Sequence, residues 1–156
     1  MKYLVITLGL VATLLSSCSK DDRDCSLPKV TAPTDEITAL HQYISDSSIT
    51  ATFDPSGFYY HIQTEGSKEK PDMCSVIGIG YKGMLINGKV IDQQNYYEFA
   101  LSSLIYGWQL GVPKIGKGGK ITLYLPPSFG YGKNAVGQIP ANSILVFEVD
   151  LQNFRK

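Results

Sequence analysis

Histidine, cysteine and tryptophan are scarce in this chain, with 2 His, 3 Cys and 1 Trp among 156 residues. His41 and His61 have no ligand spacing around them, so a histidine-based metal site has no candidate ligands. Two histidines and no G-x-S-x-G turn leave a serine or cysteine hydrolase without its base and its nucleophile. Charge of one sign is lacking too. The 14 basic residues are matched by 14 acidic ones, which removes the basic stripe a nucleic-acid partner would need. The apolar run Leu4 to Leu15 is only 12 residues long and is interrupted by Thr7, Gly9 and Thr13, too short to span a bilayer as a helix.

Two nucleotide-like patterns also fail. Gly78-Ile79-Gly80-Tyr81-Lys82-Gly83 fits G-x-G-x-x-G, but a hairpin follows where the dinucleotide fingerprint needs a helix N-terminus. Gly111 to Lys117 fits the start of a P-loop, yet position 118 is Gly where a hydroxyl must reach magnesium. The expectation is therefore no cofactor and no metal.

What is present is a chain with 44% hydrophobic and 18% charged residues, the composition of one globular domain. Its 15 Gly and 8 Pro make 23 of 156, slightly above average usage, and with 10 Tyr they favour a turn-rich β protein.

Residues 1–17 read as a signal peptide: Lys2 supplies the positive charge and Leu4 to Leu15 the apolar core. Leu15-Ser16-Ser17-Cys18 resembles the lipobox of bacterial lipoproteins, which implies lipidation at Cys18 and a membrane anchor. Residues 18–33 then form a charged, flexible tether. Its Lys20-Asp21-Asp22 is similar to the export tag of surface-exposed lipoproteins in some Gram-negative phyla. The expected location is the cell envelope of a Gram-negative bacterium, at the outer membrane, facing the periplasm or the surface. Cys25 and Cys74 remain, and outside the cytoplasm they are either bridged or free thiols; a bridge would pin the tether to the domain.

Residues 34–55 should hold an N-terminal helix and a first strand. Thr34 is a candidate cap ahead of Asp35 and Glu36, and Ile37, Leu40, Tyr43 and Ile44 recur at helical spacing up to Ser47. Ile49 to Phe53 and Phe58 to Thr64 read as strands around the turn Asp54-Pro55-Ser56-Gly57. Cys74 to Asp92 folds at Asn87-Gly88 into two strands. Leu104 to Val112, with Gly107 and Gly111 and ending at Pro113, supports at most a two-turn helix. Lys120 to Leu125 and Ile144 to Leu151 alternate as strands. These elements describe an α+β domain, an antiparallel sheet wrapped around one short helix.

Six motifs stand in register within a domain at 56–156, their order and spacing matching from about Ser56 to Asn153: Tyr81-Lys82-Gly83-Met84-Leu85, Gly88-Lys89-Val90-Ile91-Asp92, Ile105-Tyr106-Gly107-Trp108, Gly116 to Lys120, Phe129-Gly130-Tyr131-Gly132 and Ile139 to Val149. Together they resemble the FKBP-type peptidyl-prolyl isomerases. The resemblance implies a half-barrel of antiparallel strands around the short helix, and cis-trans isomerisation of X-Pro bonds in exported proteins. Non-catalytic holding of proline-containing segments in the same pocket is the alternative.

Carried onto this chain, the resemblance places Trp108 on the pocket floor beside Leu104 and Ile105, and makes Tyr81, Tyr97, Phe99 and Phe147 its walls. Tyr131 would point its hydroxyl at a substrate carbonyl, the Ile105 N–H would bind another, and Asp92 would bond to Tyr81 or to substrate at the edge. Ile91 and Ile139 complete the substrate-binding set. Tyr81, Asp92, Trp108, Tyr131 and Phe147 are thus the candidate catalytic residues. Implied partners are proline-containing polypeptides and the macrolide inhibitors of the family. Three departures matter: Ile91 stands where the family usually has an aromatic, Gln138 stands where an apolar residue is common, and the loop 133–138 is short. That short loop leaves no room for an inserted chaperone domain, and the single N-terminal helix is smaller than a dimerisation arm, so a tethered monomer is expected.

Overall fold

The computed structural model describes residues 24–156; the expected signal segment, the lipidation site Cys18 and the start of the tether lie outside the described residues. Helix α1 spans Thr34–Asp46. Strands β1 (Thr52–Asp54), β2 (Phe58–Thr64), β3 (Val76–Leu85) and β4 (Val90–Ala100) follow, then the short helix α2 (Tyr106–Gly111), β5 (Gly119–Leu125) and β6 (Leu145–Arg155). All six strands join one antiparallel sheet in the order β1-β2-β5-β6-β3-β4. This is the open antiparallel sheet with a short helix that the sequence led us to expect.

Side-chain alternation splits the sheet into two faces. Phe58, Leu123, Leu125, Leu145, Phe147, Val149 and Leu151 point to the main core, where α2 sits. Tyr59, Tyr124 and Ile144 point the other way, onto Leu40 and Ile44 of α1. Gly107 and Gly111, one turn apart on α2, face β5 so closely that a Cβ at Gly111 would lie 2.5 Å from Leu123 Cδ2, and one at Gly107 would collide with Leu125. Their missing side chains let the helix lie against the sheet, at the expense of intrinsic helix propensity.

Several local expectations are corrected. Thr34 does not cap α1: Pro33 holds the cap position, no side chain caps the first turn, and Thr34 is already helical. Proline suits a helix start because its fixed φ is compatible and no N–H is wasted. The strand expected from Ile49 begins only at Thr52. The Ile49 N–H still bonds Ile44 O at 3.0 Å, finishing the helix end, and Ile49 and Ala51 pack into the α1 cluster. Conversely, β4 does not stop at Asp92 but continues to Ala100, paired with β3 as far as Val76. The turn at Asn87-Gly88 is as expected, with Gly88 at φ 82°.

Residues 25–32 lie against the domain. Cys25 and Cys74 form a disulfide with Cα atoms 5.1 Å apart. The Ala32 N–H bonds Ser56 O at 2.8 Å, and Ala32 itself is buried in the main core.

Candidate active site

A cavity of about 200 Å³ opens on the α2 face of the sheet, lined by Tyr81, Ile91, Asp92, Phe99, Leu104, Ile105, Trp108, Tyr131, Ile139 and Phe147. Each side chain arrives by a different local device. Trp108 is carried in the first turn of α2 and is 4% exposed. Phe147 comes inward from β6 and lies over Gly83, where a Cβ would meet its ring at 2.6 Å. Ile91 and Asp92 are consecutive, and strict strand alternation would send one of them away. A register shift between Gly83 and Met84 gives β4 an extra residue there, so both line the cavity.

Aromatic edges enclose the indole. Trp108 meets Tyr81 at 5.1 Å, Phe147 at 5.3 Å and Phe99 at 6.3 Å between centroids, all close to perpendicular. Such T-shaped pairs are worth about 0.5–1.5 kcal/mol each beyond their burial. They fix the floor without any polar partner, and Trp108 Nε1 is buried with no hydrogen-bond acceptor among the described residues.

Four polar groups interrupt the apolar lining, those of Tyr81, Asp92 and Tyr131 and one backbone N–H. The Tyr81 hydroxyl donates to Asp92 Oδ2 at 2.5 Å. Burial, then the hydrogen bond and charge of Asp92, raise the Tyr81 hydroxyl above the ordinary tyrosine range. Burial and the Asp92 charge also raise Tyr131, so both phenols stay protonated donors at neutral pH. The fourth group is the Ile105 N–H at the cap of α2, which bonds to nothing among the described residues, while Ile105 O accepts from the Trp108 and Gln109 N–H groups.

The structure brings together ten of the eleven residues expected at the pocket. Tyr97 is the correction: it is 53% exposed, stacks on Phe99 at 4.7 Å and lies outside the cavity lining. Tyr97 pairs with Ile79 in the same unbroken register that pairs Phe99 with Ile77, so the two rings share a face and Tyr97 stands further along it, at the rim. Gln138 is exposed and does not line the cavity either. The sequence reading missed Gln109. Buried on α2, it donates from Nε2 to Leu104 O at 2.7 Å and Ser102 O at 3.1 Å, and so holds the segment that presents Leu104 and Ile105. A polar residue directly after Trp108, in a segment otherwise apolar, is the signal that could have drawn attention to it.

Other concavities suit this chemistry less well. A groove of about 540 Å³ involves Gln63, Gln94, Asn95, Glu148, Asp150 and Gln152, groups that stay hydrated and offer no dry wall. Cys25, Asp72 and Cys74 place ligand-type atoms within 4.8 Å of one another, but sulfurs joined in a disulfide are not thiolate ligands.

The sequence profile of the family described as "FKBP-type peptidyl-prolyl cis-trans isomerase" matches residues 67–152, more than half of the chain. The chain belongs to the FKBP family. Among curated FKBP relatives it is 41% identical over 105 residues to FkpA of Buchnera aphidicola subsp. Schizaphis graminum, covering 64% of this chain and 42% of that protein. It is 42% identical over 102 residues to FkpA of Escherichia coli K12, covering 62% and 37%. The chain thus spans about two fifths of the length of these relatives. Among solved structures it superposes on the crystal structure of Escherichia coli FkpA with a TM-score of 0.71 and 34% identity, covering 78% of this chain and 60% of that one. A peptidyl-prolyl cis-trans isomerase of Pseudomonas syringae pv. tomato gives 0.69 at 27% identity, covering 81% and 99%. The profile match begins after α1, β1 and β2, whereas the superpositions cover 78% and 81% of the chain and so extend into residues before it.

Proposed function

We propose that this chain catalyses cis-trans isomerisation of X-Pro bonds in exported polypeptides, with the proline ring seated on Trp108. The observation that carries this reading is the aromatic cavity with two neutral phenols and an unused backbone N–H at its edge. Rotation about C–N must break amide resonance, which makes the uncatalysed step take tens to hundreds of seconds. The twisted amide is less dipolar than the planar one, so a dry aromatic wall favours it over the hydrated ground state. Tyr131 and the Ile105 N–H then hold the flanking carbonyls, and Asp92 holds Tyr81 in place. Gaining four to five decades needs about 5.5–7 kcal/mol, within reach of desolvation and a few hydrogen bonds.

In this reading Ile91 replaces an aromatic wall and makes one side of the pocket shallower, and Tyr97 extends the apolar rim beyond Phe99. Macrolides of the FKBP-inhibitor class are candidate ligands of the same cavity. The protein acts as a monomer in the envelope of a Gram-negative bacterium, anchored at the outer membrane by lipid on Cys18. The Cys25–Cys74 disulfide supports an oxidising compartment, and mass spectrometry of the N-terminal peptide tests the anchor. The test of the function is the protease-free isomerisation rate of an X-Leu-Pro-Phe tetrapeptide. A rate well above background that falls in Tyr131→Phe supports catalysis; a background rate with the peptide still bound supports a holding module instead.

A further inference from the structure

We infer that Glu36 of α1, a residue before the segment 67–152 matched by the family profile, is a positioning residue for Tyr131. The inference rests on the isomerase reading above. Glu36 Oε2 accepts the backbone N–H of Ser128 at 2.8 Å, a contact between residues 92 apart in sequence. Ser128 lies in the turn Pro127–Phe129 that launches Gly130 and Tyr131. Pro126 and Pro127 have no N–H, so Ser128 is the first donor of that turn, and Glu36 is the acceptor it finds. Later donors are satisfied locally: the Phe129 N–H bonds Pro126 O, and the Gly130 and Gly132 N–H groups both bond Pro127 O. Ser128 Oγ is buried without a partner among the described residues, so the side chain does not anchor the turn.

Both ends of the contact are held. On one side, Leu40 and Ile44 seat α1 on the sheet and Ile37 packs against the main core. On the other, Phe129 is buried against Phe58 and Tyr106 at 6.1 and 6.4 Å between centroids. The carboxylate therefore sets where the turn begins, and two residues beyond Phe129 that choice sets where the Tyr131 hydroxyl stands over the pocket. Helix α1 thereby belongs to the catalytic apparatus without touching substrate.

The test uses the full chain and the X-Leu-Pro-Phe tetrapeptide. In Glu36→Ala, kcat is expected to fall about three- to tenfold with KM little changed, as for loss of one or part of one transition-state hydrogen bond. Glu36→Gln, which keeps an acceptor oxygen, should restore most of the rate. In a Tyr131→Phe background Glu36→Ala should have no further effect, because the group it positions is already gone. Additive losses in the double variant, or a fall of equal size in Glu36→Ala and Glu36→Gln, would overturn the inference and leave Glu36 a stability residue. If the native chain turns over no peptide, the isomerase reading fails; amide exchange at Ser128 and Tyr131 then decides the contact itself, faster exchange at both in Glu36→Ala supporting it and unchanged exchange refuting it.

Discussion

Helices α1 and α2 lie on opposite faces of one sheet and use it differently. α1 has 13 residues, an amphipathic stripe and two acidic residues facing its dipole, and it buries Leu40 and Ile44 on Tyr59 and Tyr124. α2 has six residues, two of them glycine, and would be marginal in isolation. Yet α2 carries Trp108 and Gln109 and shapes the pocket, whereas α1 contributes no lining residue and bonds the turn before Tyr131 through Glu36. Strong local propensity here builds a clamp on the outer face. The functional helix is weak in sequence because close approach to β5 requires glycine and the floor requires an aromatic surface rather than a regular stripe.

The largest effects that would sharpen this contrast are on stability. Leu40→Ala removes a fully buried side chain from the α1 face and should cost about 2–5 kcal/mol in urea unfolding, with turnover per folded molecule falling no further than in Glu36→Ala. Replacing Cys25 and Cys74 by serine opens a cross-link spanning 49 residues and should cost about 2–4 kcal/mol, again with the pocket intact. An unfolding midpoint that does not move would show that the segment before α1 contributes nothing.

On the other face the order should reverse. Tyr131→Phe should lower kcat/KM about tenfold while changing stability by under about 0.5 kcal/mol, since a half-exposed hydroxyl is lost and no cavity is created. A loss of stability larger than the loss of rate would erase the distinction between the faces.

Smaller effects follow from titration. Burial opposes the charge on Asp54, but the Lys114 ammonium at 2.7 Å and the Ser56 N–H outweigh it and hold the carboxyl below its ordinary value. Its contribution is then fully present above the unfolded value of about 3.9 and is lost as pH falls through the lower folded value. Lys114→Met should therefore flatten the acid limb of the stability curve by roughly 1 kcal/mol. At the alkaline end, the raised Tyr81 and Tyr131 values predict a peptide-turnover rate that stays flat through pH 9, which a rate profile checks. A decline beginning below that point would mean that one phenol ionises early and that the Asp92 contact is not maintained.

Much of this was readable in advance, and the exceptions have physical causes. Alternation in Lys120 to Leu125 and Ile144 to Leu151, and the Asn87-Gly88 turn, are local patterns, and β5, β6 and the hairpin stand close to where those patterns put them. Tyr97 shares its face with Phe99 in one unbroken register, and how far the cavity extends along that face is set by the elements packed over it rather than by any pattern in β4. The register shift between Gly83 and Met84, set by pairing with β3, brings Ile91 and Asp92 to one side. Gln109 and Glu36 escaped because each acts through a backbone group, in one case 92 residues away, and no side-chain pattern records such a bond.

By itself the sequence determined the family, the antiparallel sheet with its short helix and the set of aromatics around Trp108, because hydrophobic periodicity, turn residues and motif spacing are local properties. Only the tertiary structure decided the register of β4, the seating of α1 on the outer face, the bridge between Cys25 and Cys74 and the reach of Glu36 to the turn before Tyr131. These depend on which distant groups are left unpaired once the sheet closes on its core, and such groups are satisfied by proximity in space rather than by order along the chain.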